Sequence, residues 1–471
     1  MSLTRRTLLR TAAVCFGAAA ICPGSLHAAA EPAPARKPNF VIVFTDDQGY
    51  QDLGCYGSPL IATPNIDRMA AEGMKFTDFY TASSVCSPSR AALLTGCYPM
   101  RLGFNFGALY PGIPQGLNPR EITMADMLKT QGYTNACIGK WHLGGNNLSS
   151  GDKDLLVYHP LKRGFDYFYG FNSNGAWLRP LVRNYELVDK EVDTDRITGQ
   201  LTAEAVTFIK ENKSKPFLLY LAHWMPHLAL GASERFKGKS KRGPYGDAME
   251  EVDWSTGEVL KALKDAGIDD STLVIFTSDN GPAKSKGEEG GSADPWVGGK
   301  FGSQEGGQRV PCVMRWPGTI PAATTCTEVA TTMDFFVTFA GITGGKVPAD
   351  RVIDGKDILP LMTAQQGAVS PYTECGFFYQ NPTQKNVRKG TWKFGDNKLY
   401  DLTSPEHETR NLAKQHPEIA AELKALAEDK WKEIERNFRP IGDLDPANQA
   451  LGLYDRPKKP KKAGEDNPGK P

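Results

Sequence analysis

Residues 39–49 read NFVIVFTDDQG, an uninterrupted apolar run that ends in two carboxylates. Residues 272–281 repeat this plan as TLVIFTSDNG, with an acid and an amide at the end. Apolar runs without polar alternation are typical of strands buried on both faces, as in a sheet that helices cover. The polar residues that end the two runs are Asp46, Asp47, Asp279 and Asn280.

A third run, FLLYLAHWMPH at residues 217–227, ends in two histidines, His223 and His227. In open α/β sheets, ligands bind beyond the carboxyl ends of the strands. Three strands that deliver acids, an amide and histidines to their ends therefore predict a site at that edge of the sheet. Each acidic pair alone would more often begin a turn. Together the pairs favour a metal site, and their oxygen ligands suit Ca²⁺ or Mg²⁺ rather than zinc.

The fold class follows from what lies around these runs. Amphipathic helices are predicted at residues 64–73, 123–132 and 252–267, and strands that alternate with helices indicate an α/β domain. We expect a large mixed sheet flanked by helices over residues 37–360.

The character of the chain changes after about residue 360. Short aromatic strands are predicted at 374–380, 385–394 and 398–402, followed by a helix at 416–437. We expect a smaller C-terminal α+β domain over residues 361–440, consisting of an antiparallel sheet with one helix. Residues 441–471 form a tail rich in proline and lysine, which we predict to be disordered.

The N-terminus and the composition indicate where the protein acts and limit the partners to be expected. The chain has 471 residues and a net charge of +1, which gives no reason to expect a nucleic acid or an anionic membrane as partner. Residues 1–30 contain TRRTLLR, a short apolar stretch and a small-residue cleavage site, which predicts an export signal of the twin-arginine type. The stretch is too short to span a bilayer. We therefore expect an exported protein, periplasmic or secreted, without a stable membrane span.

The chain contains nine cysteines, of which Cys15 and Cys22 lie in the predicted signal. The spacing of the others fits no zinc motif, and an oxidising compartment would permit disulfides whose pairing stays open. The remaining cysteines are Cys55, Cys86, Cys97, Cys137, Cys312, Cys326 and Cys375.

One of these cysteines stands in an unusual context, SVCSPSRAALLTG at residues 84–96. Pro88 suits the first turn of a helix, Ser87 is a possible cap, and Gly96 is a plausible end. Cys86 would then lie at the positive end of the helix dipole near Arg90, which is a place for an anion. The alternative is an ordinary buried structural thiol.

Two further stretches supply cations. In GYTNACIGKWHLGG, residues 132–145, Lys140 and His142 are two residues apart and point the same way if the segment is extended. In GGKFGSQEGGQRVP, residues 298–311, Lys300 stands among glycines that allow the backbone to approach a ligand closely. Taken alone, each stretch would be interpreted as an ordinary loop, the second one a flexible loop with a solvated lysine.

Taken in order, these stretches resemble the sulfatase family. CSPSR fits the Cys-x-Pro-x-Arg sulfatase motif, and GYTNACIGKWHLG is similar to the second signature of the family. FTDDQG, SDNG and GGKFGSQEGGQRVP follow the family order, so that the resemblance covers roughly residues 37–415.

The resemblance implies that a maturation enzyme oxidises Cys86 to formylglycine, an aldehyde that hydrates to a geminal diol. One diol oxygen would take the sulfuryl group, and deprotonation of the other would expel sulfate and regenerate the aldehyde. The resemblance places a divalent cation, Ca²⁺ in preference to Mg²⁺, on the modified Cys86 and on four further residues. Those residues are Asp46, Asp47, Asp279 and Asn280.

The resemblance also implies roles for the cationic residues. Arg90 and Lys140 would hold the formylglycine oxygens, and His142 would be the base that removes the second hydroxyl proton. His227 and Lys300 would approach the leaving-group oxygen, and one of them would protonate it as general acid. Lys140, His227 and Lys300 would also bind the substrate.

The sequence departs from the family pattern at several positions. Ala229 stands where the family often has proline, and His223 competes with His227 for its role. Gln308 replaces a commoner small residue. A polar residue that contacts sulfate is expected in GFNSNG, where three candidates stay open: Asn172, Ser173 and Asn174.

We therefore predict a sulfatase that hydrolyses sulfate esters, with sulfated carbohydrates as substrates and aryl sulfates as model substrates. The alternatives are a phosphonate or phosphate ester hydrolase of the same alkaline-phosphatase-like superfamily, a non-catalytic glycan-binding protein, and an enzyme that uses the cysteine thiol. Four aromatic residues either line a sugar site or belong to the core: Trp177, Phe377, Phe378 and Tyr379.

Overall fold

A computed structural model describes residues 37–105, 107–110, 113–144, 155–171, 180–381 and 384–443 of the chain. Several predictions fall outside these ranges. They concern the export signal at 1–30, the tail beyond residue 443, Trp177, and the three sulfate-contact candidates between 172 and 174.

The described residues form eighteen strands and ten α-helices. The strands are β1 (Asn39–Thr45), β2 (Met74–Phe76), β3 (Phe79–Tyr80), β4 (Gln115–Gly116), β5 (Thr134–Lys140), β6 (Tyr167–Phe171), β7 (Leu181–Arg183), β8 (Glu186–Asp189), β9 (Phe217–Ala222), β10 (Thr272–Ser278), β11 (Cys312–Arg315), β12 (Thr324–Cys326), β13 (Ala330–Thr331), β14 (Phe377–Asn381), β15 (Gln384–Lys389), β16 (Trp392–Gly395), β17 (Lys398–Asp401) and β18 (Gly442–Asp443). The helices are α1 (Pro64–Ala71), α2 (Cys86–Thr95), α3 (Met124–Lys129), α4 (Ile197–Asn212), α5 (Pro244–Asp265), α6 (Glu305–Gln308), α7 (Asp334–Thr343), α8 (Leu359–Met362), α9 (Tyr372–Cys375) and α10 (Pro417–Arg436).

Ten of the strands form one large mixed sheet, in the order β12-β2-β11-β10-β1-β9-β5-β6-β7-β8. The central strands β10, β1, β9, β5 and β6 are parallel, whereas β11, β7 and β8 run antiparallel to their neighbours. The predicted fold class is confirmed.

The three apolar runs are adjacent in the centre of this sheet because both of its faces are covered. Residues Phe40–Phe44 of β1 are fully buried, and their side chains alternate between two hydrophobic cores. Phe40, Ile42 and Phe44 belong to one core, and Val41 and Val43 belong to the other. Continuous hydrophobicity is what burial on two faces requires.

The predicted helices are present, with one boundary error. α3 begins with a capping box in which Thr123 and Asp126 bond each other's backbone N–H groups. α5 begins at Pro244, eight residues before the predicted start at 252. The prediction missed this first part although Pro244 suits the first helical turn and Tyr245, Ala248 and Met249 extend the buried face.

A separate four-stranded antiparallel sheet, β14-β15-β16-β17, is covered by α10, as predicted. β16 and β17 are joined through Asp396 and Asn397, which both have positive φ (52° and 57°), the conformation of a tight two-residue hairpin turn. The aromatic residues of β14 are buried in a core with Tyr80 and Tyr98, so they pack rather than line a sugar site. The domain boundary at residue 360 stays a prediction.

Two further findings bear on the sequence predictions. The seven cysteines of the described ranges all carry unpaired thiols. Among the helices of those ranges, none combines the length and the hydrophobicity needed to cross a bilayer.

Candidate active site

The register of the central strands brings the distant acids together. Thr45 at the end of β1 pairs with Ser278 at the end of β10, so the polar residues that follow each strand become neighbours. The Asp47 N–H donates to Asp279 Oδ1 at 3.2 Å, and Asn280 Nδ2 donates to Asp47 Oδ1 at 2.7 Å. Residues 46, 47, 279 and 280 thus form one buried cluster, as the strand-end argument predicts.

Cys86 is the first residue of α2 and is buried. The predicted cap by Ser87 is wrong, because Ser87 lies inside the helix and its Oγ accepts the Leu109 N–H at 3.0 Å. The predicted end is confirmed, since Gly96 has φ 68° and its N–H donates to the carbonyl of Ala92. The helix start therefore leaves position 86 facing the acid cluster, without a side-chain cap above it.

Arg90 is fully buried one turn further along α2 and connects the helix to the acids. Its Nε and Nη2 donate to Asp279 Oδ2 at 3.1 and 2.8 Å, and Nη2 lies 3.6 Å from Asp46 Oδ2. Its Nη1 donates to the Lys140 carbonyl at 3.0 Å. The guanidinium is thus held in place by partners from three strands.

Lys140 and His142 reach the same cluster, but not through an extended segment. Lys140 ends β5, and its Nζ donates to Asp46 Oδ2 at 2.5 Å. His142 has φ 58°, so the backbone is left-handed there and the predicted strand alternation does not apply. Its Nε2 lies 2.8 Å from the Leu109 carbonyl, whereas Nδ1 is buried and has no hydrogen-bond partner within the described residues.

His227 and Lys300 lie at the edge of the cluster. Lys300 Nζ is 2.7 Å from Asp47 Oδ1, and His227 Nε2 is 3.7 Å from Asp47 Oδ2. The side chain of His227 is 21% exposed, so this edge of the cluster is open to solvent. The competitor His223 is fully buried, and its Nε2 contacts Ser255 Oγ on α5 at 3.2 Å. His227, and not His223, is therefore the histidine that β9 delivers to the acids.

The charges of the cluster are strongly coupled. Burial opposes ionisation of Asp46, but Lys140, His227 and Arg90 outweigh it and hold the pKa of Asp46 well below its usual range. Burial and the neighbouring Asp46 raise the pKa of Asp279 to about 7.

The pKa shifts of the histidines have another origin. Burial is the largest cause that lowers the pKa of His142 well below its usual value, and the charges of Lys140 and Arg90 add to it. Burial also lowers the pKa of His227. Both imidazoles are therefore neutral at pH 7 in this environment, and a neutral imidazole is able to accept a proton.

The donor set fits a hard divalent cation. Potential ligand atoms of Asp46, Cys86 and Asp279 lie within 4.8 Å of one another, and so do those of Asp46, Asp47 and His227. Asn280 Oδ1 is buried and accepts no hydrogen bond from the described residues. Carboxylate and amide oxygens that converge in this way are ligands of Ca²⁺ or Mg²⁺.

Two groups that hold the side chains of the site in place were not predicted from the sequence. Tyr220 Oη on β9 accepts a hydrogen bond from Arg90 Nη1 at 3.3 Å. Alternation along β9 places Tyr220 on the same sheet face as Phe44, so the strand pattern contained this signal. The Leu109 carbonyl that holds His142 carried no signal, because a backbone acceptor is independent of residue type.

Comparisons with known proteins agree with this geometry. The sequence model of the sulfatase family, described as Sulfatase, matches residues 38–345. The chain is 38% identical over 415 residues to human steryl-sulfatase, covering 71% of each protein. It is 41% identical over 395 residues to N-acetylgalactosamine-6-sulfatase of Mus musculus, covering 78% of this chain and 73% of that protein.

A solved structure shows the same architecture. The crystal structure of Ps i-CgsB in complex with k-i-k-neocarrahexaose superposes with a TM-score of 0.76 at 29% identity, covering 89% of this chain and 98% of that one. A family match across more than half of the chain, together with relatives at about 40% identity, leaves no other assignment, and the chain belongs to the sulfatase family.

Proposed function

We propose that this protein hydrolyses sulfate esters of carbohydrates, with formylglycine at position 86 and one divalent cation, Ca²⁺ in preference to Mg²⁺. The observation that carries the proposal is the convergence of Cys86, at the first residue of α2, with Asp46 and Asp279 within 4.8 Å. A residue at this position faces both a helix N-terminus and a cation site, which are two independent attractions for a sulfate group.

The cation would be held by Asp46, Asp47, Asp279, Asn280 and the modified residue 86. When bound, it supplies positive charge that stabilises the oxygens around the sulfur atom. Asn280 Oδ1, which accepts no hydrogen bond within the described residues, is free for this purpose.

Arg90 and Lys140 would orient the hydrated aldehyde of residue 86 and favour ionisation of its oxygens. Both are fully buried, and Arg90 is held by Asp279 and the Lys140 carbonyl, so the two positive charges are fixed before the substrate arrives. His142 would accept the second hydroxyl proton through Nδ1, while its Nε2–H donates a hydrogen bond to the Leu109 carbonyl, which fixes the tautomer.

His227 and Lys300 would serve the leaving group. Both contact Asp47 at the solvent-facing edge of the cluster, where an alcohol would depart. Burial would lower the pKa of Lys300, but the neighbouring acidic groups, Asp47 and Asp46 among them, raise it above the ordinary value, so Lys300 is positively charged. Lys300 is able to donate a proton to the leaving oxygen directly, whereas His227, whose imidazole is neutral at pH 7, would have to be protonated first.

The carbohydrate assignment is supported by the relatives. One is named for a 6-sulfated N-acetylgalactosamine and one structure contains a neocarrahexaose, while steryl-sulfatase is named for a steryl sulfate. Export, as predicted from residues 1–30, would bring the enzyme to sulfated polysaccharides outside the cytoplasm. A formylglycine-generating maturation enzyme would be its obligatory partner before catalysis.

The decisive experiment combines mass spectrometry of the peptide around position 86 with activity measurements on the wild type and a variant. We expect the peptide that contains position 86 to carry an aldehyde in the active protein, and a Cys86→Ala variant to lose activity. Activity with an intact thiol at position 86 would refute the formylglycine proposal.

The same protein separates the sulfatase from its main alternative. Rates are measured on 4-nitrophenyl sulfate and on the phosphate and phosphonate esters of the same alcohol. We expect the sulfate to be preferred, whereas faster turnover of a phosphonate ester would favour the phosphonate hydrolase.

A further inference from the structure

Phe301, next to Lys300, has a backbone conformation that the packing of its side chain does not explain. Its φ is 67°, in the left-handed region that large side chains rarely adopt, and yet its side chain is 64% exposed and packs little. Two hydrogen bonds hold the backbone there, from the Phe301 N–H to the Ser84 carbonyl at 3.0 Å and from the Gly302 N–H to the Gly299 carbonyl at 2.9 Å. Strain of this kind, kept without a packing benefit, points to a binding role.

The ring lies at the edge of the candidate active site. Lys300 Nζ is 5.6 Å from the centre of the Phe301 ring and 2.7 Å from Asp47 Oδ1. Ser84, which accepts the Phe301 N–H, is two residues before Cys86. The ring therefore borders the path that an alcohol would take as it leaves the site beside Lys300.

A cavity of about 230 Å³ begins at this ring and extends to the second sheet. We call it the Phe301 groove, and its walls include residues 301–304, Asn386 on β15, Lys398 and Tyr400 on β17. Its lining is mainly polar, so the aromatic ring stands at the mouth of a hydrophilic groove.

An unsatisfied polar atom points to what the groove accepts. Asn386 is 5% exposed, and its Oδ1 has no hydrogen-bond partner within the described residues. Gly395 makes room for this amide, because a Cβ at position 395 would lie 2.2 Å from Asn386 Oδ1. A buried carbonyl oxygen without a partner is costly, and a hydroxyl group in the groove would satisfy it.

We propose that the Phe301 groove binds the sugar ring of the leaving alcohol, with Phe301 stacked on its apolar face and Asn386 accepting one of its hydroxyls. A pyranose ring combines a C–H face with hydroxyl donors, and this groove combines an exposed aromatic ring with a buried acceptor and a lysine. A planar aryl or steryl alcohol would use Phe301 but would leave Asn386 Oδ1 unsatisfied. The inference rests on the proposed sulfatase activity and assigns its specificity to two residues.

The test compares two sugar sulfates and one aryl sulfate across two variants of the full-length, matured enzyme. We expect Asn386→Ala to lower kcat/KM for N-acetylgalactosamine 6-sulfate and galactose 6-sulfate about tenfold, the value of one good hydrogen bond. The same variant should change kcat/KM for 4-nitrophenyl sulfate less than twofold. Phe301→Gly should raise KM for the sugar sulfates about tenfold or more, as loss of a stacking platform does.

A matched variant separates binding from folding. Ala323 also has positive φ (55°) and lies in the exposed turn before β12, so Ala323→Gly makes the same backbone change far from the groove. Phe301→Gly and Ala323→Gly should both leave the melting temperature unchanged or slightly raised. Only the first should alter the kinetics on sugar sulfates.

The outcomes are distinguishable. In Asn386→Ala, equal losses on sugar and aryl sulfates, or no loss on either, would overturn the groove assignment while leaving the sulfatase activity in place. In Phe301→Gly, an unchanged KM for the sugar sulfates would do the same. A loss confined to 4-nitrophenyl sulfate would assign the groove to an aryl alcohol and overturn it likewise. Absence of any sulfate ester hydrolysis by the matured wild-type enzyme would refute the proposed function itself, and the groove assignment with it.

Discussion

At the scale of single residues, the site is a balance of buried opposite charges. The carboxylates of Asp46, Asp47 and Asp279 each contact a positively charged side chain. Burying any of these charges without its partner would be strongly destabilising. Lys300 and His227 differ from the others because they lie at the open edge of the cluster, where both contact Asp47. The geometry therefore separates groups that hold position 86 from groups that face the leaving alcohol.

This separation predicts how two variants respond to the leaving group. Lys300→Met and His227→Gln should each lower kcat/KM. For a substrate with a poor leaving group, loss of the residue that donates the proton should lower kcat/KM about 10²–10⁴-fold. The loss should shrink on 4-nitrophenyl sulfate, whose phenolate leaves without a proton, and grow on alkyl or sugar sulfates. The measurement is kcat/KM across a series of sulfate esters with increasing leaving-group pKa. A loss independent of that pKa in both variants would remove both residues from the acid role.

A second prediction at this scale concerns the metal. Because Ca²⁺ would bind the folded state only, adding Ca²⁺ to chelator-treated protein should raise the melting temperature. Asn280→Ala removes a ligand oxygen and should raise the Ca²⁺ concentration for half of the maximal shift about tenfold or more. Gln48→Ala, which alters a buried amide beside the cluster, serves as the control. An Asn280→Ala titration identical to that of the wild type would exclude Asn280 as a ligand.

At the scale of elements, the central strands and their burial could be predicted from the sequence. The parallel register of β1 and β10 then brings the acids at their ends together. NFVIVF and TLVIFT predict buried strands on composition alone, and the strand-end rule then places their acids at one edge. The left-handed backbone at His142 and the orientation of Ser87 away from a capping role were not predicted, and both side chains contact the distant Leu109. Local propensity carries no information about such partners.

The end of α2 gives a prediction at this scale. Asp354 N–H donates to the Gly96 carbonyl, and the buried Asp354 carboxylate accepts hydrogen bonds from the Tyr98 N–H, Arg101 and Lys430. Burial would raise its pKa, but hydrogen bonds from Arg101 and the charge of Lys430 lower it to about 2. A depressed pKa means stability that is present above pH 4 and is lost as the pH falls towards 2, about 2 kcal/mol in all.

The corresponding variant is Asp354→Asn. We expect it to lose about 3 kcal/mol of unfolding free energy at pH 7, since the buried Arg101 keeps only the partly exposed Glu433 as a charge partner. The fall in stability of the wild type between pH 4 and 2 should be flatter in the variant. Asp350→Asn, at an exposed pair with Arg351, is the control and should leave stability unchanged. The measurement is urea unfolding across this pH range, and parallel pH profiles would contradict the assignment.

At the scale of the whole molecule, buried ion pairs connect the second sheet to α6 and to Asp78, which lies between β2 and β3. Lys393 on β16 lies 3.0 Å from Glu305 on α6 and 2.7 Å from Glu408. Arg388 on β15 lies 2.6 Å from Asp78, which also binds Arg309. The sequence predicted both sheets but not this contact, because the pairing of charges between remote segments leaves no local pattern. Glu305 follows Lys300 closely in the chain, so this contact also supports the edge of the site.

Lys393→Met tests how far the second sheet supports the site. The substitution removes the positive charge between two buried carboxylates, so we expect a loss of about 3–5 kcal/mol in unfolding free energy. Hydrogen bonds from Tyr80 and Tyr379 still reach Glu305, which argues for a folded but weakened molecule. Lys389→Met, on the neighbouring strand, breaks the exposed contact with Glu422 and should leave the unfolding midpoint unchanged.

The same substitution, Lys393→Met, should also affect catalysis, because Glu305 anchors the segment that begins at Lys300. We expect kcat on sulfate esters to fall together with stability. Adding Glu408→Gln to the Lys393→Met chain should restore part of both. Unchanged stability in Lys393→Met, measured by urea unfolding, would show that packing of the aromatic core, and not this ion cluster, joins the two sheets.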